Sequence, residues 1–245
     1  MKDFYEPRFY RDWTGGHLKQ PLVRFNVTQE ESDLDLYVTD HVDGAAEVLS
    51  ACRKILIAHM EKDPLFKDSL VPLPVDPDDP SMIKKMKEAA FQAGVGPMAA
   101  VAGTMAEMVG RKLAKCNPDV IVENGGDLYL SLSTTRRVLI YAGASPLSNR
   151  LALEIKPENT PMGICTSSGT FGHSLSFGKA DAVVIVSHDT ALADAVATAT
   201  ANRIDKISDL EGAVQYASKI SNILGIVAIK DDGLALWGDL GLHKV

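Results

Sequence analysis

Cysteine, positive charge and long apolar runs are all in short supply in this chain, and each shortage removes a class of protein. The three cysteines, Cys52, Cys116 and Cys165, stand far apart, are odd in number and form no CxxC pair. That pattern builds neither a disulfide framework nor a zinc site, and it reads as reduced thiols in a cytoplasmic protein. Acidic residues outnumber basic ones, leaving a formal net charge of −7. A general nucleic-acid or membrane-surface binder needs a basic face, so neither partner is expected. No apolar run approaches the length of a membrane span. The opening Met1-Lys-Asp-Phe-Tyr-Glu-Pro-Arg8 has no apolar h-region, so no signal peptide is expected. Internal repeats and low-complexity tracts are missing too. What remains is a chain of 245 residues, 46% hydrophobic, long enough to bury a substantial core as one domain over residues 1–245 or as two intimate lobes.

The pattern of apolar residues gives a coarse architecture. Pro21 to Thr28 and Ser32 to Thr39 read as a hairpin turned at Gln29-Glu30-Glu31. Asp43 is a plausible cap for a helix running to about Glu61, which Lys62-Asp63-Pro64 ends. Pro72 to Pro80 is a Pro/Asp-rich connector, the best candidate for a hinge. Ser81 can cap a helix from Met82 to Gln92, with Lys84, Lys85 and Lys87 as its solvated side. A second helix, Ala99 to Lys115, is lined with small residues (Ala99, Ala102, Gly103, Ala106, Gly110) that allow close approach. Strands are expected at Val120–Val122, Leu128–Leu132, Val138–Gly143, Arg150–Lys156 and Ala182–Ser187, the second of them half-buried because its leucines alternate with Tyr129 and Ser131. Beyond them come a helix over Ser208–Ile220 and a hairpin, Ile223–Ile229 with Leu234–Trp237. Strands joined by hairpins, with helices inserted in pairs, indicate an α+β fold.

Three segments carry chemistry. In Leu192-Ala-Asp194-Ala-Val-Ala-Thr198, helical spacing places Asp194 and Thr198 on one face, one turn apart. A carboxylate with a hydroxyl above it is a pair of hard oxygen ligands suited to Mg²⁺, which completes its octahedron with water and phosphate oxygens. The structural alternative is a core helix in which Thr198 bonds back to a carbonyl one turn earlier and Asp194 pairs with a neighbour. In Asn124-Gly125-Gly126-Asp127, two glycines between strands either form a plain hairpin turn or let a ligand approach the main chain. In Thr166-Ser167-Ser168-Gly169-Thr170-Phe-Gly-His173, hydroxyls and N–H groups suit a phosphate, and His173 titrates near neutrality and can serve as acid or base. The alternative there is a solvated loop with His173 at the surface.

The order small-residue helix, Val-Glu-Asn-Gly-Gly-Asp, Thr-Ser-Ser-Gly, Ala-Asp-Ala-Val-Ala-Thr resembles the ApbE flavin transferases over roughly Ser81 to Asn202. It is most similar to their cytosolic relatives, the UPF0280 (DUF375) group, where the likeness extends to the opening Tyr5-Glu-Pro-Arg-Phe-Tyr10-Arg11. The resemblance implies an α+β fold with mixed or antiparallel sheets and inserted helices, forming two closely packed lobes. It implies FAD as substrate or ligand, Mg²⁺ as cofactor, and FMN transfer to a threonine of an acceptor protein or cleavage of the pyrophosphate. Asp194 and Thr198 would hold the metal, with Asp194 and His173 taking part in catalysis. Gly103, Asn124, Gly125, Gly126, Asp127, Thr166, Ser167, Ser168 and Gly169 would line the nucleotide site.

This chain departs from the ApbE pattern at several places. Ala102 stands where the family carries lysine, and Glu107 where it carries aspartate. His173-Ser-Leu-Ser-Phe-Gly178 replaces the family's His-Ile-Ile-Asp-Pro, and no lipobox is found. Arg136, Arg137 and Arg150 are the basic residues nearest in sequence to the Gly-Gly turn. Two functions therefore stand: a Mg²⁺-dependent enzyme acting on a flavin dinucleotide or related nucleotide, or a flavin-binding protein that keeps the cavity without the chemistry. Self-association is compatible with either.

Overall fold

The computed structural model describes residues 22–40, 43–169 and 178–245. A hairpin of β1 (Val23–Gln29) and β2 (Ser32–Val38) comes first. Helix α1 (Ala45–Lys62), the single turn α2 (Leu65–Asp68) and α3 (Ser81–Ala93) follow, and a 3-10 turn over Pro97–Ala100 leads into α4 (Val101–Leu113). Next come β3 (Val120–Asn124), β4 (Asp127–Ser131), β5 (Arg136–Leu139), β6 (Leu151–Ile155), β7 (Met162–Ser167) and β8 (Ala182–Ser187). Helices α5 (Thr190–Ala201) and α6 (Leu210–Ala217) precede β9 (Ile223–Lys230), β10 (Gly233–Gly238) and β11 (Leu242–Lys244).

The strands form an eight-stranded sheet in the order β1-β2-β3-β4-β7-β8-β9-β10 and a three-stranded sheet in the order β11-β6-β5. Every described pairing is antiparallel. The expected α+β fold, with antiparallel sheets and inserted helices, is therefore what the chain adopts. One face of the large sheet packs on the helices through residues such as Leu36, Val122, Val183 and Ile226. The other face packs on the small sheet through Ile121, Leu130, Ile164, Val184 and Leu153. The period-2 alternation of each central strand feeds both cores at once, so strands such as Val120–Asn124 and Ala182–Ser187 read as nearly continuous apolar runs. Among the described residues no helix is long and apolar enough to cross a membrane.

Helix α5 sits at the centre of the helical layer, on β7 and β8 and beneath α3 and α4. That position explains its composition: a helix covered on nearly every side is apolar nearly all round. Alanines and glycines bring its neighbours close. A Cβ at Gly163 of β7 would lie 2.6 Å from the Cα of Thr190, and one at Gly110 of α4 would run into the ring of Tyr129.

Several expectations from sequence are corrected. Thr166 and Ser167 end strand β7, paired with Val184 and Val183, so the hydroxyl-rich segment is a loop only from Ser168 onward. Strand β4 is buried on both faces because Tyr129 fills the space left by Gly110. Lys87 is not solvated. It falls four residues after Ile83 on the buried face of α3, and its Nζ donates to Asp79 Oδ2 at 2.7 Å. His59 Nδ1 lies 3.7 Å from the other oxygen of Asp79, so the end of the Pro72–Pro80 connector is tied into the helical layer. Helices α1 and α3 begin after Gly44 and Pro80, and Asp43 and Ser81 do not occupy the cap positions. The helix expected over Ser208–Ile220 is a 3-10 turn at Ile207–Asp209 followed by the shorter α6. The opening Tyr5–Arg11, Thr170 and His173 lie outside the described residues.

Candidate functional site

Helices α4 and α5 run antiparallel and nearly touch. A Cβ at Gly103 would lie 2.5 Å from the carbonyl oxygen of Thr190 and 2.8 Å from the Cβ of Asp194. Glycine is thus the residue that lets Asp194 reach the start of α4. There the Gly103 N–H donates to Asp194 Oδ2 at 2.8 Å, and the Ala102 N–H adds a second bond. These N–H groups have no partner within their own helix, so the Asp194 carboxylate caps α4 from another element. A Gly103→Ala variant has to push the two helices apart. We expect it to lose about 1–3 kcal/mol of stability, measured by urea unfolding.

The Asn-Gly-Gly-Asp turn delivers a second carboxylate to the same place. Gly125 and Gly126 take φ of 68° and 104°, as a two-residue hairpin with positive φ at both central positions requires. Asp127 and Tyr129 then share the face of β4 that points at the helices, while Leu128 and Leu130 point at the small sheet. The Asp127 Oδ1 accepts the Thr166 N–H at 3.2 Å, and the Asp127 and Asp194 carboxyls are hydrogen-bonded to each other. Asn124 holds the turn in register: its Nδ2 donates to the Ala102 carbonyl at 3.1 Å. The Gly126 N–H donates to Glu123 Oε1 at 2.7 Å. Gly125 is exposed, and a Cβ there would meet nothing within 4 Å among the described residues.

Two carboxyls in contact inside a protein resist ionising together. Asp127 is 6% exposed and Asp194 8%. Burial raises Asp194 to about 7, against the pull of the Gly103 and Ala102 N–H groups and of its bond to Asp127. Asp127 is driven well above the usual carboxylate range by burial and then by the charge of Asp194, against hydrogen bonds from Cys165 and Thr166. The pair therefore holds a shared proton near neutral pH. Burial, then the two carboxylates, also raise the Cys165 thiol far above its ordinary value, so it stays protonated and is no nucleophile.

The structure thus brings together Gly103, Asn124, Gly126, Asp127, Thr166 and Asp194. Thr198 follows one turn along α5, half-buried, and among the described residues its hydroxyl makes no hydrogen bond. The back-bonding threonine is Thr200, which donates to the Val196 carbonyl at 2.7 Å. Ser167 is buried at the end of β7. Ser168 and Gly169 are bonded to the Ala180 carbonyl, at 3.5 and 2.9 Å. The arginines near the turn in sequence serve other partners. Arg136 pairs with Asp119 and Arg137 with Glu154, and Arg150 leads into β6 of the small sheet. The contact between Asp127 and Asp194 was not foreseen from sequence. Its one visible signal was strand alternation, which puts Asp127 on the face of Tyr129.

The donor set fits a divalent cation with a small protein complement. Two carboxylates that crowd one proton, and a hydroxyl one turn away with no partner among the described residues, are hard ligands, and a cation relieves the repulsion between the carboxylates. Among the described residues no group of three or more His, Cys, Asp or Glu side chains gathers to hold a metal. Any ion here would take most of its coordination from water or phosphate, as Mg²⁺ commonly does.

The chain matches the family profile described as AbpE bacteria over residues 16–221. The UPF0280 protein of Methanocella arvoryzae is 42% identical over 186 residues, covering 76% of each chain. That of Methanospirillum hungatei is 42% identical over 200 residues, covering 81% of this chain and 80% of its own. Among solved structures, the flavinyl transferase ApbE of Pseudomonas stutzeri superposes with a TM-score of 0.53 at 14% identity, covering 91% of this chain and 96% of its own. The flavin transferase ApbE of Vibrio cholerae gives 0.55 at 11% identity, covering 90% and 97%. At these identities the structural likeness establishes the fold.

Proposed function

The chain belongs to the UPF0280 family, has the fold of the ApbE flavin transferases, and on that basis we propose that it is a Mg²⁺-dependent enzyme acting on the pyrophosphate of a flavin dinucleotide. The observation that carries this reading is the buried Asp127–Asp194 pair beside the open Gly125 turn. In this account residues 1–245 act as one domain with the site between the helical layer and the large sheet. Asp194 and Thr198 would hold the cation, with Asp127 as the second carboxylate. When bound, the cation neutralises charge on the pyrophosphate oxygens.

The chain's own residues do the rest. Gly103 and Ala102 fix the Asp194 carboxylate, and Asn124 fixes the turn on α4. Gly125, Gly126 and the end of β7 at Thr166 form the wall against which the phosphates lie, with Ser167, Ser168 and Gly169 continuing it. A hydroxyl oxygen, from an acceptor threonine or from water, attacks the FMN phosphorus. The P–O bond to the AMP half breaks, AMP leaves with the electron pair, and His173 takes the hydroxyl proton. Positioning of this kind supplies much of the rate in phosphoryl chemistry.

Incubating the protein with FAD and Mg²⁺ and separating the products tests the reading. AMP, appearing with free FMN or with protein-bound flavin, supports it. Intact FAD in the presence of Mg²⁺ and acceptor contradicts it. A second reading, flavin binding without cleavage, is favoured by Ala102: at this end of α4 the described residues that meet Asp194 are N–H groups, and Ala102 supplies no charge. FAD that stabilises the fold yet remains uncleaved supports that alternative.

A further inference from the structure

The pairing of α4 with α5 has a second rung, one turn from the first, and nothing in the reaction described above uses it. Glu107, 2% exposed, accepts the N–H of Thr190, the first residue of α5, on its Oε2 at 3.1 Å. The same oxygen lies 3.1 Å from Lys85 Nζ of α3, and Lys85 also reaches Asp189 Oδ2 at 3.0 Å. Asp189 in turn caps Leu192 N at 3.0 Å. The other oxygen of Glu107 accepts from Arg111 Nε at 2.6 Å. The Thr190 hydroxyl is buried and has no hydrogen-bond partner among the described residues, and the start of α5 is held through its main chain.

We propose that Glu107 and Lys85 are positioning residues that lock the axial register of α5 against α4 and so set where Asp194 meets Asp127. The two rungs are reciprocal. Asp194 of α5 takes an N–H from the start of α4, and Glu107 of α4 takes an N–H from the start of α5. With both in place, neither helix slides without breaking a buried hydrogen bond to a carboxylate. Lys85 balances the charge of Glu107 and joins α3 to the same point. Gly103 makes the arrangement tight, since the helices touch between the rungs. The inference rests on the reading that Asp194 holds a divalent cation, because a small displacement of such a ligand weakens the site.

Titration of Mn²⁺ into the full chain tests the lock, with the melting temperature recorded for each variant. Glu107→Ala is expected to weaken Mn²⁺ binding by about 10–100-fold. Glu107→Gln, which still accepts the Thr190 N–H, recovers most of that loss. Val109→Ala trims a buried side chain of the same helix, and is expected to lower the melting temperature without changing the Mn²⁺ affinity. Amide exchange at Thr190 should accelerate in Glu107→Ala and stay slow in Glu107→Gln. Wild-type affinity in Glu107→Ala, or an equal loss in Val109→Ala, overturns the proposal. If Glu107→Ala does not fold, Lys85→Met carries the test: weakened Mn²⁺ binding supports the lock and unchanged binding overturns it. A wild-type protein that binds no Mn²⁺ contradicts the functional reading itself, an outcome distinct from wild-type binding that Glu107→Ala leaves intact.

Discussion

The Asp194→Asn variant is expected to lose divalent-dependent FAD cleavage by roughly 10²–10³-fold or more while melting at a higher temperature than the wild type above pH 7. The two effects have one cause. The asparagine oxygen still accepts the Gly103 N–H, and its amide can donate to Asp127, so the contacts that hold α4 and α5 together survive. What disappears is one of two buried carboxyls that repel each other once both are ionised. With it goes the carboxylate that lies one turn before Thr198 on α5 and meets Asp127 at the end of the glycine turn. Product analysis after a single turnover and melting in chelator check the two halves. A variant that cleaves FAD at the wild-type rate contradicts the assignment of the site. One that melts well below the wild type at pH 8 contradicts the account of the carboxyl pair.

A related effect follows for the wild type without metal, whose stability should fall as the pH rises from about 4 to about 7. A carboxyl whose folded value lies above its unfolded one stabilises the fold fully only below the unfolded value, about 3.9, and this contribution is lost as the pH climbs through the folded value. For Asp194 the folded value is about 7. The loss above that pH is on the order of 4 kcal/mol, equivalent to roughly 8–16 °C in melting temperature for a chain of this size. His59 acts in the opposite sense. Burial holds its imidazole below its ordinary value, against the pull of Asp79, so it removes stability as the solution becomes acidic. The informative quantity is therefore the difference between wild type and Asp194→Asn across the range, in which the contribution of His59 cancels. Saturating Mg²⁺ should replace the shared proton and flatten the wild-type profile. A difference that does not change with pH contradicts the prediction.

The sequence displayed some of this site plainly and hid the rest. Asp194 was conspicuous because a helix of alanines has no packing use for a carboxylate, and the Gly125-Gly126 turn because only glycine accepts positive φ cheaply at both positions. Strand β7 was hidden because Gly163, Cys165, Thr166 and Ser167 look like a polar loop. Their small size in fact serves the close approach of α5. Lys87 was misplaced because a run of lysines suggests a wet helix face, although its phase with Ile83 and Ala90 already put it inside. The least legible features were those made by residues distant in sequence: Asp127 against Asp194, and Glu107 against Thr190. No local pattern announces such a pair, because each carboxylate is explained only by the helix end or strand that another part of the chain brings to it.

Calorimetric titration of Mn²⁺ into the wild type and into Asp194→Asn, each with and without FAD, bears most directly on the central claim that these carboxyls and the glycine turn form one cation and dinucleotide site. The account predicts a single saturable Mn²⁺ event in the wild type, tighter when FAD is present, and none in the variant. Equal binding in both proteins, or none in the wild type with FAD bound, would contradict it.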